Sequence, residues 1–170
     1  MNDTSESASA FAPLPPDPEL KRLEPLLGSW TTGEHTQDSV LGPGVSVTSN
    51  ERFYWLDGGY FLVSTYETMF GNDPAQKGIM YWGYDSATGK FRTLFFSNNG
   101  PFTEEGSRYE GQVADGKLIF IGPARFEYAL NDDGKIKTNR DGTVSVVWWL
   151  RDEDAKWKPW MSNTFTRKAD

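Results

Sequence analysis

One carboxylate stands among aromatic side chains in a pattern suited to chemistry. Glu51 opens the run Glu51-Arg52-Phe53-Tyr54-Trp55, so in an extended strand it shares a face with Phe53 and Trp55 and opposes Arg52 and Tyr54. If that face is internal, the carboxylate needs a partner or its pKa must rise, because an unpaired buried charge is costly. Arg92 and Arg125 are the available partners. An Arg–Glu pair in a dry interior selects a polar ligand group, and a raised pKa makes a proton-transfer site. At a rim the same pair is a salt bridge worth little.

Other reactive types are sparse. His35 is the only histidine, placed between Glu34 and Thr36 near the end of a strand. It is either a base at a cavity mouth or an exposed strand residue, and its position beside a loop favours the second. Asp85 precedes a turn and is expected to fix that turn. Asn98, in Asn98-Asn99-Gly100-Pro101, reads as turn chemistry, with an inward ligand-donor role as the alternative. The large aromatics Trp30, Trp55, Tyr66, Trp82, Trp148, Trp149, Trp157 and Trp160 suit a core or a cavity wall. Gathered as ligand contacts, the candidates are Glu51, Phe53, Tyr66, Trp82, Arg92, Phe96, Asn98 and Trp148.

Much chemistry is excluded by composition. With no cysteine there are no disulfides, thiolate nucleophiles or sulfur-ligated metals. The nucleophile elbow, the phosphate loop, the dinucleotide fingerprint and histidine metal spacings are all missing. Asn72-Asp73-Pro74 and Asn131-Asp132-Asp133-Gly134 do not continue into the ligand spacing of a calcium loop. No metal or cofactor is expected. A net charge of −7 without clustered Lys and Arg argues against nucleic acid and against anionic membrane surfaces. There is no run of about 18 apolar residues and no signal-peptide pattern near Met1, so a cytoplasmic location is the default expectation.

These residues need a scaffold, and the chain spells one out. Its 170 residues are one domain's worth, 15% of them aromatic. Residues 1–16, rich in Ser, Ala, Pro and acids, read as a mobile tail, and 17–170 as the folded domain. Asp17 as cap, Pro18 at the first position and Leu20, Leu23 and Leu27 on one face predict a helix, which Pro25 limits to about two turns. Strands are predicted at Ser29–Thr36, Val45–Leu56, Tyr60–Phe70, Gln76–Asp85 and Lys90–Asn98. Five more are predicted at Gly106–Ala114, Lys117–Ile121, Ala124–Leu130, Thr143–Arg151 and Lys156–Arg167. Turn chemistry such as Asp57-Gly58-Gly59, Asp115-Gly116 and Asp141-Gly142 separates them.

Almost every connection is short, so sequence neighbours should pair in space. A sandwich needs longer crossovers, and an open meander leaves two long edges. The expected fold is therefore all-β: an antiparallel up-and-down barrel of about eight to ten strands with a short N-terminal helix. Both faces of Lys90–Asn98 and Thr143–Arg151 carry aromatics, so either the exterior is partly covered or the interior is mixed in polarity.

Several segments resemble known barrels. Leu26-Leu27-Gly28-Ser29-Trp30 resembles the Gly-x-Trp opening strand of lipocalin-like (calycin) barrels, where the Trp packs at the closed end beside a short helix. Residues 51–67, with Leu56-Asp57-Gly58-Gly59-Tyr60-Phe61-Leu62-Val63, are similar to the second hairpin of a bacterial lipocalin-like family of unknown function. Gly78 to Asp85, followed by Gly89-Lys90-Phe91, also resembles that family, and the ending Thr164-Phe165-Thr166-Arg167-Lys168 is similar to its final strand. The resemblance implies a calycin-type barrel, with family roles from ligand carriage to a few enzymes. The neighbouring nitrobindin-like barrels hold haem through a late histidine; here the only histidine is His35, so haem is not expected.

Three functions follow. The first is a cavity binding a small hydrophobic or aromatic metabolite. The second is a cofactor-free isomerase, cyclase or lyase using a buried carboxylate in that cavity. The third is a filled barrel acting as a structural module, with a homodimer contact through exposed aromatics around Lys156–Trp160.

Overall fold

The computed structural model describes residues 13–100, 103 and 107–168. Ten strands run in order: β1 Gly28–His35, β2 Ser46–Trp55, β3 Leu62–Phe70, β4 Gln76–Asp85, β5 Lys90–Ser97, β6 Arg108–Ala114, β7 Lys117–Ile121, β8 Arg125–Ala129, β9 Val144–Arg151 and β10 Trp157–Arg167. Each pairs antiparallel with its sequence neighbour, and β10 returns to β1, closing the barrel. The up-and-down barrel expected from the hairpin meander is the fold. Strand ends agree with expectation to within two residues, and Gln76–Asp85 and Lys117–Ile121 coincide. Residue 106, the expected start of the sixth strand, and residues 1–12 of the expected tail lie outside the described residues.

Turn chemistry sets the register. Asp115 and Gly116 both sit at positive φ (50° and 70°), the two-residue turn whose twist matches the flanking strands. The helix, Pro18–Leu26, is of the tighter 3-10 type, with Asp17 Oδ1 accepting from Glu19 N at 2.9 Å. Pro25 lies inside it and cannot donate an α-helical bond. Leu20, Leu23 and Leu26 seal the barrel end that also holds the β2–β3, β4–β5 and β6–β7 turns. There Trp30 is fully buried beside the helix, the closed-end position expected for it, and donates its indole N–H to the Leu26 carbonyl at 2.6 Å. The β8–β9 loop clasps the helix from outside: Ile136 N donates to Arg22 O, and Lys135 pairs with Glu24 at 2.6 Å.

Side-chain alternation resolves the two-faced strands. On β5, Phe91, Thr93 and Phe95 point in, and Arg92, Leu94 and Phe96 point out; on β9, Val144, Val146 and Trp148 point in. Near the helix the interior is solid with rings: Phe53, Trp82, Phe120 and Phe126 pack at centroid spacings of 4.7–6.2 Å. Toward the other end it becomes mixed in polarity, with Ser49, Thr68 and Asn163 among the inward residues.

Candidate functional site

That mixed half contains a cavity of about 230 Å³. It extends from Glu51 and Tyr66, midway down the barrel, to Phe70, Gln76, Ala124 and Trp160 near the ends of their strands. Phe95, Met80, Trp148, Met161, Tyr109 and Phe165 supply its apolar walls. At the mouth Phe70 of β3 stacks on Trp160 of β10, with centroids 5.8 Å apart and planes 17° apart. A register shift between Pro159 and Met161 leaves Trp160 unpaired in the β9 ladder, and its carbonyl instead accepts from Gln37 N at 2.7 Å.

Among the described residues, Glu51 is the only charged one in the cavity lining. It pairs across the sheet with Trp30 on β1 and Tyr66 on β3. Burial pushes its carboxyl up to about 7, and a hydrogen bond from the Ser64 hydroxyl only partly offsets this. Ser64 in turn accepts from Trp82 Nε1 at 3.3 Å, so a short relay fixes the carboxylate from below. Burial also raises the Tyr66 phenol to about 12. Its ring stacks on Phe95 (5.9 Å, 15°), and its hydroxyl lies beside Ser97 without a partner in hydrogen-bond geometry. Asn163, on β10, is 5% exposed, lines the cavity, and has an unpartnered Oδ1. Buried polar atoms in native proteins are nearly always satisfied, so Tyr66 Oη and Asn163 Oδ1 require an explanation.

Of the residues expected at a site, Glu51, Tyr66 and Trp148 are brought together in the cavity. Phe53 and Trp82 face inward but belong to the packed floor. Arg92, Phe96 and Asn98 lie outside this cavity. Arg92 points outward, as its alternation with Phe91 requires, and pairs with Glu110 and, at 3.9 Å, with Asp85. Phe96 is on the same outer face and 39% exposed. Asn98 ties the open ends of β4 and β5, its Oδ1 accepting from Lys77 N (2.8 Å) and its Nδ2 donating to Ala75 O (3.2 Å).

Neither expected arginine reaches Glu51. Arg125 lies on the outer face of β8, 3.0 Å from Glu127. His35 is exposed at the end of β1, its Nδ1 2.7 Å from Thr36 O. Asp85 fixes its turn as expected, accepting from Ala87 N and from Thr88. Asn163 was missed, although its position between the inward Met161 and Phe165 was readable from alternation.

A larger depression, about 900 Å³, lies on the outside of β4–β6, bordered by Leu56, Phe61, Tyr81, Leu94 and Ile121. Its charged residues are Arg92, Glu110, Asp85 and Arg108, of which Arg92 pairs with both Glu110 and Asp85. Among the described residues no cluster of metal-ligating side chains occurs, and no helix is long and apolar enough to cross a membrane.

Residues 15–167 match a family model described as "Protein of unknown function (DUF1579)". Among solved structures, the crystal structure of Rv2717c from M. tuberculosis is similar, with a TM-score of 0.57 and 16% identity over 91% of this chain and 99% of that one. At that identity the likeness speaks for the barrel fold alone. No curated protein matches.

Proposed function

The chain belongs to this DUF1579 family, and from that premise we propose that its barrel is a binding protein for one small, largely apolar molecule, held in the lipocalin-like manner inside the cavity. The observation that carries this is the pairing of an aromatic-walled space with buried polar atoms that have no protein partner, Tyr66 Oη and Asn163 Oδ1. A core evolved only for packing would fill the space or satisfy those atoms. Ligand pockets combine an apolar lining with a few polar groups that fix orientation, and this cavity has both. Its volume is below the usual range of about 300–1,000 Å³ for drug-sized ligands, and an apolar cavity of about 150 Å³ accepts benzene. The occupant is therefore of single-ring size.

Trp148 and Trp160 line the cavity, so ligand entry should change tryptophan fluorescence. Titration with phenol and benzyl alcohol should give saturable changes at one site per chain. Native mass spectrometry of protein taken from its own host should show a small adduct. A flat titration together with an adduct-free protein would end this reading.

One observation favours a second reading, a cofactor-free acid–base enzyme. A carboxyl raised to about 7 is matched to proton transfer at neutral pH. Tyr66 lines the same cavity, and its unpartnered hydroxyl could polarise a substrate oxygen there. The enzyme reading predicts a turnover step lost in Glu51→Gln; the carrier reading predicts reversible binding alone.

A further inference from the structure

We propose that the occupant of the barrel is an organic cation, an alkyl- or arylalkyl-ammonium whose charged head meets Glu51 and whose ring or short chain lies among the aromatic walls. This rests on the cavity being a binding site and names the ligand's chemistry.

Among the described residues, the cavity lining has one carboxylate and no Lys or Arg. The arginines that sequence reasoning offered as partners are engaged outside, Arg92 with Glu110 and Arg125 with Glu127. Where the Glu51 carboxyl is ionised, as at pH 8, the positive charge that balances it comes from what enters. The unpartnered buried atoms have the same preference. Asn163 Oδ1 is an acceptor, and Tyr66 Oη, turned over Gly78 toward Ser97, adds acceptor lone pairs to the same cavity. A primary ammonium brings three donors and no acceptor. Around it stand the faces of Tyr66, Phe95 and Trp148, which attract a desolvated cation through their ring quadrupoles.

Approach is biased in the same direction. In the described mouth connections, residues 36–45, 71–75 and 152–156, the charged side chains are Asp38, Asp73, Asp152, Glu153 and Asp154 against Lys156 alone. Lys156 and Lys158 pair with Asp154 and Asp152, while Asp38, Asp73 and Glu153 have no ion-pair partner among the described residues. A rim of this sign raises the local concentration of cations and repels anions. An anionic ligand would meet the rim, then Glu51, with no compensating charge. A neutral ligand would leave the carboxylate without a counter-ion.

The test compares benzylamine, benzyl alcohol and benzoate by calorimetry on the full chain at pH 8. Benzylamine should bind at least about tenfold more tightly than benzyl alcohol, as expected for a charge-assisted hydrogen bond, and benzoate should not saturate. Added salt should weaken benzylamine more than benzyl alcohol. Glu51→Gln, checked for a native near-ultraviolet spectrum, should lose that tenfold advantage. Glu67→Gln, which removes an outward carboxylate on β3 paired with Lys77, should leave benzylamine binding unchanged. Benzyl alcohol or benzoate binding as tightly as benzylamine would overturn the cation assignment and leave the cavity reading standing. Failure of all three to bind would overturn both.

Discussion

Tyr66 lies flat across Gly78. A Cβ added at Gly78 would sit 2.6 Å from Tyr66 Cζ and closer still to its hydroxyl and to the Phe96 carbonyl. The glycine on β4 is thus what allows the tyrosine of β3 to reach over its neighbour toward Ser97 on β5. Gly78→Ala should destabilise the barrel by about 1–3 kcal/mol, the usual cost of overpacking, and turn the Tyr66 ring into the cavity. Urea unfolding reads the first effect and a crystal structure of the variant the second. A neutral substitution would show that Tyr66 is not held there.

Glu51 makes apo stability fall with rising pH. Its folded-state pKa, about 7, lies above the ordinary 4.5, so the folded chain holds a proton that the unfolded chain releases between those values. Ser64 and Tyr66 on β3, Trp30 on β1 and Tyr128 on β8 surround it, and none supplies a positive charge. Glu51→Gln should therefore gain up to about 3 kcal/mol over wild type above pH 7, and little near pH 4.5. Denaturant midpoints at pH 4.5, 6 and 8 check the convergence.

Asn163→Leu should stabilise the unliganded barrel by about 1 kcal/mol, because it removes a buried acceptor without a partner and keeps the volume. Thermal unfolding measures it. A loss of stability would mean that Oδ1 has a partner after all.

On the outer wall the opposite holds. Glu127, 4% exposed, accepts from Arg125, Lys117 and Trp149 Nε1 at 3.0–3.3 Å. Burial pushes its carboxyl up, but the Arg125 and Lys117 hydrogen bonds prevail and hold it below the ordinary range. Its contribution to stability is present above about pH 4.5 and is lost as pH falls through the lower folded value. Glu127→Ala should cost about 2–3 kcal/mol at pH 7, since Arg125 and the Trp149 N–H lose their acceptor. A double-mutant cycle with Lys117 separates the more exposed pair from the rest.

The Phe70–Trp160 stack partly covers the mouth. Trp160→Ala should raise ligand association and dissociation rates together, with a smaller change in affinity. Stopped-flow mixing with benzyl alcohol tests this; unchanged rates would place the entry route elsewhere.

The barrel was legible because its signals are local. Asp115-Gly116 dictates a turn and Phe91/Thr93/Phe95 a strand face, whatever the rest of the chain does. The site was legible only in part, because alternation says which residues share a face but not which face is inside. Phe91 with Phe95 and Leu94 with Phe96 are equally apolar pairs, so Arg92 and Phe96 were assigned to the interior on chemistry alone. The choice is settled by the long-range ladder, where Phe91 pairs with Gly111 and packs on Phe120. Asn98 misled for a related reason: it sits one residue past the end of β5, where its side chain serves the backbone.

The β1–β10 seam is where the chain's two ends complete one wall. Only Trp30–Arg167 and Thr31–Thr166 pair as ladder residues, and beyond them Glu34 Oε1 takes the Thr164 N–H at 3.0 Å. Nine hairpin contacts can form as synthesis proceeds, but this one joins residues about 130 apart and awaits the last strand. Until then the nascent meander carries two open edges, able to pair with any other strand nearby. Closure is thus the slow, high-contact-order event, and a chain stopped short of residue 157 should aggregate during synthesis instead of yielding a smaller barrel.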